Sequence, residues 1–149
     1  MQLPNWARVN DEKMKRRFEL ENNYLKPFKT FVQDVDANGK HSLYGKLVTN
    51  SNNVYNCKIK IPSTFPYSPP SSLIMDADVI RNCLSKGMHD MHNLGQEEGG
   101  IRLCIFKEDA SIGVGWNPSY SIVTLIIWTA EWLHAYEEKL TTGRWPLPE

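Results

Sequence analysis

The segment Gly99-Gly100-Ile101-Arg102-Leu103-Cys104-Ile105-Phe106 sets a cysteine between aliphatic residues shortly after a pair of glycines. A free cysteine there reads in two ways. As a small hydrophobe it is buried and inert. As a nucleophile it must be reachable by its substrate. The residues that follow, Lys107 to Gly115, form a polar stretch containing glycine. A short extended piece, Ile101 to Phe106, would therefore deliver the cysteine to the edge of an open loop, which favours the second reading.

Working outward on the C-terminal side, Trp116-Asn117-Pro118-Ser119 closes that loop. Ile122, Leu125, Ile126, Thr129, Trp132, Leu133 and Tyr136 then recur at helical spacing and mark one face of a long helix. Ser119 or Ser121 can cap its start, and Gly143 can stop its end. On the N-terminal side, Asp76 to Gly100 mixes glycines, histidines and acids and reads as irregular. Before it, Ser72 to Met75 reads as a short strand, and Phe65-Pro66-Tyr67-Ser68-Pro69-Pro70 as a stiff extended loop, since three prolines in six residues suit neither a helix nor a central strand. Tyr55, Cys57, Ile59 and Ile61 alternate with polar residues, so Cys57 is expected in the core. His41 to Thr49 and Phe28 to Asp36 read as two earlier strands joined through Asn38-Gly39, a pair that tolerates positive φ. Trp6, Val9, Met14 and Phe18 predict an amphipathic helix from about Asn5 to Asn22, broken at Lys26-Pro27. Helix, four-stranded antiparallel meander, irregular segment and long helix together predict an α+β layer.

The chain has 149 residues, 17 basic and 17 acidic, and no basic stripe, so neither nucleic acid nor an anionic membrane is an expected partner. The N-terminus carries no apolar signal core and no apolar run is long enough to span a bilayer, so a cytoplasmic protein is expected. Three cysteines, an odd number, argue against a disulfide framework. Cys83, His89, His92 and Cys104 have the chemistry of zinc ligands, although their spacing matches no common structural zinc motif. Nothing else in the sequence calls for a cofactor.

Four landmarks occur in one order along the chain, and together they resemble the ubiquitin-conjugating enzyme family. Phe65-Pro66-Tyr67-Ser68-Pro69-Pro70 is similar to the family's Tyr-Pro-x-x-Pro-Pro loop. His92-Asn93-Leu94 looks like a shortened His-Pro-Asn-Ile motif. Gly99 to Ile105 resembles the Gly-x-Ile-Cys-Leu stretch that carries the family's catalytic cysteine, and Trp116-Asn117-Pro118 resembles its Trp-x-Pro motif. The closing stretch from Trp128 to Pro146 is similar to the end of bacterial conjugating-enzyme domains from CBASS antiphage operons, which also encode a cGAS-like nucleotidyltransferase. Two departures are visible: the proline of His-Pro-Asn is missing, and Asp76 to Gly100 is expanded.

The resemblance implies a single conjugating-enzyme-like domain over residues 1–149. It implies that Cys104 holds the C-terminal acyl group of a protein modifier as a thioester and passes it to an amine. Asn93 would then donate to the oxyanion of the transfer step, with His92 as its orienting neighbour, and Glu108 or Asp109 could orient an attacking lysine. The modifier implied is a cGAS-like nucleotidyltransferase; its activation is expected to occur elsewhere, which leaves open whether a separate activating enzyme is used. Two other readings compete: an inactive binding module of the same fold, which Cys104 disfavours, and the zinc-binding scaffold.

Overall fold

The computed structural model describes residues 2–8, 11–87, 90–106 and 115–146. A short 3-10 turn at Asn5–Ala7 precedes helix α1 (Glu12–Leu25). Strands β1 (Val32–Val35), β2 (His41–Val48), β3 (Val54–Ile61) and β4 (Ser71–Ile74) follow, then helix α2 (Ala77–Lys86), strands β5 (Asn93–Glu97) and β6 (Gly100–Leu103), and helix α3 (Ile122–Thr142). The six strands form one antiparallel sheet in the order β1-β2-β3-β4-β6-β5. Helix α3 packs against β4 and α1, and α2 packs against β5 and β6. The α+β expectation holds, and the four-stranded meander is present as β1 to β4.

Where the sequence pattern is periodic, the elements follow it. Tyr55, Cys57, Ile59 and Ile61 all turn inward from β3. All seven apolar-face positions expected of the long helix are buried in α3. Ser121, not Ser119, caps that helix: its hydroxyl accepts from Val123 N and its amide donates to Thr124 Oγ1. Ser119 is turned to Asn117 instead. Gly143 ends the helix in the left-handed region, at φ 79°.

Three expectations need correction. The N-terminal helix is not continuous from Asn5 to Asn22: Trp6 belongs to the 3-10 turn, and α1 begins only after Asp11, whose carboxylate accepts from Lys13 N. Val9 lies outside the described residues. The first strand starts at Val32 rather than Phe28, because the backbone from Leu25 to Phe31 is spent on two successive turns, Phe28 N to Leu25 O and Phe31 N to Phe28 O. Asp76 to Gly100 is not irregular throughout. It contains α2, which buries Val79 and Cys83 four residues apart, and β5, and with β6 from the extended piece that follows the sheet has six strands rather than four.

The sheet is closely drawn at Gly100. A side chain there would place Cβ 2.6 Å from Met75 Sδ and 3.1 Å from the Ile74 carbonyl oxygen, so the glycine lets β6 settle against β4. This sets the height at which the strand, and the cysteine beyond it, leaves the sheet.

Candidate active site

Cys104 stands one residue past the end of β6 and is exposed, whereas Cys57 and Cys83 are buried. Burial pushes the Cys57 thiol up to about 12 and the Cys83 thiol up to about 11. Neither supplies thiolate near neutrality. Cys57 also contacts Ser72 Oγ at 3.6 Å within the core. Its expected inert role agrees with this setting.

The residues facing Cys104 come from the start of β5. Cys104 N donates to the His92 carbonyl at 3.1 Å, and Asn93 pairs with Leu103. A bulge between Asn93 and Gln96 then breaks the register. The bulge is shaped by Asn93 itself, whose Oδ1 accepts from Gly95 N at 2.9 Å, while Gly95 takes φ 91°. Asn93 is only 3% exposed, and its Nδ2 finds no acceptor among the described residues. A buried amide donor without a partner is costly and calls for an explanation. With Oδ1 held by Gly95, the amide can rotate little, and its N–H groups are left to donate elsewhere.

His92 joins this corner to α3. Its carbonyl accepts from Cys104 N and also from Trp132 Nε1 at 2.9 Å. The sequence marks Trp132 as a core position on a helical stripe, and it is buried as expected. Its indole N–H, however, spans forty positions to reach the backbone opposite the cysteine, a contact that no local pattern signals.

Beyond Cys104, a ring cluster holds the outgoing chain. Phe106 packs against Trp116 and Trp128, with centroids 5.4 and 5.2 Å apart. Trp116 Nε1 donates to Pro66 O at 2.6 Å and its ring meets buried Phe65. The proline loop and the Trp-Asn-Pro turn, far apart in sequence, are thereby fastened to the strand end that carries Cys104. Glu108 and Asp109 lie outside the described residues.

The four candidate zinc ligands do not come together as far as they are described. Cys83 is buried in the core on the inner face of α2, Cys104 is on the surface, and His89 lies outside the described residues. Among the described residues, no group of three or more His, Cys, Asp or Glu side chains could hold a metal ion. Among the same residues, no helix is long and apolar enough to cross a membrane.

An α+β layer with an exposed cysteine at a strand end is the arrangement that the conjugating-enzyme resemblance predicts. Residues 20–149 match the family model described as Type II CBASS E2 protein. The chain belongs to the type II CBASS E2 family, and with it to the E2-like proteins of CBASS antiphage defence. No match was found among curated proteins or among solved structures.

Proposed function

We propose that this protein is a single conjugating-enzyme-like domain that accepts the C-terminal acyl group of another protein on Cys104 and transfers it to an amine. The observation that carries this reading is the exposed Cys104 at the end of β6, whose amide is bonded to the residue next to Asn93, a buried amide donor with no acceptor among the described residues.

In the first step the Cys104 thiolate attacks the carbonyl carbon of an activated acyl group. A carbon–sulfur bond forms, and the previous carrier departs with the electron pair of the bond it loses. When that carrier is itself a thiol, one thioester replaces another and the exchange is near balance, so no deeply acidic thiol is required. In the second step an amine attacks the same carbon, the bond to Cys104 Sγ breaks, and the amine loses a proton to water or a nearby base. Negative charge develops on the carbonyl oxygen in between. Asn93 Nδ2 is the proposed donor to that oxygen, a role in which one placed donor contributes about 3 kcal/mol. His92 orients it through the backbone.

The proposed acyl donor is the C-terminus of a cGAS-like nucleotidyltransferase, activated by a separate enzyme. Support for this partner comes from membership of a CBASS family. A tail ending in a small residue such as glycine or alanine would approach the thiol most readily.

Incubation with an activated donor should give an adduct on Cys104 that thiols remove. Cys104→Ala should abolish it and Cys57→Ala should not. Co-expression with the nucleotidyltransferase, followed by intact mass analysis without reductant, tests the partner. An adduct that survives Cys104→Ala refutes the site. An adduct carrying only an unrelated modifier, with the nucleotidyltransferase C-terminus left free, refutes the partner alone.

A further inference from the structure

Trp145 lies beyond α3, in a segment that Gly143 turns back toward the helix. Gly143 N donates to Lys139 O at 2.8 Å, Lys139 Nζ donates to Gly143 O at 2.9 Å, and Arg144 N donates to Thr142 Oγ1 at 3.2 Å. These bonds make the turn specific. Trp132 is about 15 Å back along the helix from Thr142, yet the Trp145 ring centroid is 5.6 Å from that of Trp132. The segment therefore returns alongside α3.

The same ring covers His92. Indole and imidazole stack with centroids 4.4 Å apart and planes 20° apart. His92 is thus gripped at both ends: its ring by Trp145, its carbonyl by Trp132 Nε1 and Cys104 N. Its backbone is in the left-handed region, at φ 46°. A residue with a side chain keeps that conformation only where its surroundings impose it. The grip supplies the imposition, at the residue that touches Cys104 on one side and precedes Asn93 on the other.

We infer that Trp145 is a positioning residue of the Cys104 site. By covering the His92 ring it holds the His92 carbonyl where the Cys104 amide and the Trp132 indole converge. That fixes the thiol relative to the Asn93 amide. The catalytic consequence rests on the reading of Cys104 as an acyl acceptor. The positioning itself does not.

The test uses the full chain and two readouts. The first is hydrogen exchange at the Cys104 amide, measured by NMR. Loss of an aromatic stack of this kind is enough to shift a local opening equilibrium about tenfold. Trp145→Ala should lower protection at Cys104 by about that factor and leave the Leu133 amide, in the middle of α3, unchanged. Trp145→Phe, which keeps a ring over His92, should restore it. The second readout uses a short glycine-ended peptide thioester as acyl donor and free lysine as acceptor. In Trp145→Ala the transfer to lysine at saturating amine should slow by about tenfold, since small displacements of reacting groups are costly. Its dependence on lysine concentration should stay as in the parent, and Trp145→Phe should recover the rate.

Unchanged protection at Cys104 in Trp145→Ala overturns the inference. Equal loss of protection at Cys104 and Leu133 also overturns it, because Trp145 would then be a general cover for α3. Whether or not the parent protein takes an acyl group from the peptide, protection at Cys104 decides the positioning role.

Discussion

Replacing Glu21 by alanine should destabilise this protein far more than the loss of a solvated acid from α1 would. Glu21 reads as one more solvated acid of an amphipathic helix, but it is 1% exposed. Its two oxygens accept from Arg17 Nε at 2.8 Å, Ser121 Oγ at 2.7 Å and Ile122 N at 2.8 Å. Ile122 N is among the first amides of α3, which have no partner within the helix, so the carboxylate serves as a second cap and places negative charge at the positive end of the helix dipole. Arg17 extends the junction to the carbonyls of Pro118 and Tyr120 and lies 5.1 Å from the Phe65 ring centroid. One ion pair thus ties α1, the proline loop, the Trp-Asn-Pro turn and α3 together.

Removing one member of a buried pair costs about 3 to 5 kcal/mol, because the other charge stays behind uncompensated. For a chain of this size that lowers the melting temperature by about 10 °C and the urea midpoint by about 2 M. Glu21→Gln keeps an acceptor for Ile122 N but also leaves Arg17 without its counter-charge, so it should lose nearly as much, about 3 kcal/mol. Urea titrations followed by tryptophan fluorescence would measure both. A loss below about 1 kcal/mol in Glu21→Ala, or a Glu21→Gln variant as stable as the parent, would refute the claim that the charge at this junction matters.

Two further outcomes are expected. Asn93→Asp keeps an oxygen for Gly95 N but has no amide to donate, so its transfer to lysine should fall as far as in Asn93→Ala, by roughly ten- to a thousand-fold, with loading of Cys104 less affected; an aspartate variant as fast as the parent would make Asn93 a loop-shaping residue only. His41 is buried, accepts from Trp6 Nε1 on Nδ1 and faces Gln33 Oε1 through Nε2, and desolvation lowers its pKa from 6.5 to about 4. The folded state therefore refuses a proton that the unfolded chain accepts. Its contribution is complete above pH 6.5 and is lost as the pH falls toward 4, by up to about 3 kcal/mol; urea stability that is flat across this window, or as steep in His41→Gln as in the parent, would rule the residue out.

The legible parts of this fold are those in which one chain segment states its own period. The β3 alternation and the α3 stripe predict their buried faces residue by residue, and Ser121 and Gly143 end α3 where their backbone preferences say. Strand β5 has no such statement to make. Asn93-Leu94-Gly95-Gln96-Glu97 carries a single large apolar residue, and Leu94 points to solvent. The segment becomes a strand because the two-residue turn Glu98-Gly99 folds it onto β6. That turn needs positive φ at both positions, found at 47° and 82°. Glutamate is an unfavourable choice for it. Here the Glu98 carboxylate reaches Lys58 and Lys60 on β3, 3.2 Å from each, and those contacts hold its pKa below the usual range. The support comes from a strand forty residues earlier, so no local window contains it.

The site divides along the same line. Cys104 is marked by what surrounds it in sequence: a glycine pair that lets β6 sit close to β4, then a polar stretch. Asn93 is marked by its neighbours, but its burial, its bond to Gly95 and its donor, without an acceptor among the described residues, depend on a bulge that only pairing with β6 creates. Trp132 is correctly read as core by its spacing, and that reading is incomplete, because the spacing describes the ring and not the N–H on its edge. The same holds for Glu21, whose position on the helix predicts a face but not the helix end that approaches it. Periodicity reports where apolar surface goes. The partners of an isolated donor or charge are set when distant segments meet, and at His92 three of them meet at once: the residue after β6, the middle of α3 and the turn beyond its end. A site assembled in this way should be sensitive to changes well outside its motifs, and a residue such as Trp145 can bear on Cys104 without being near it in sequence.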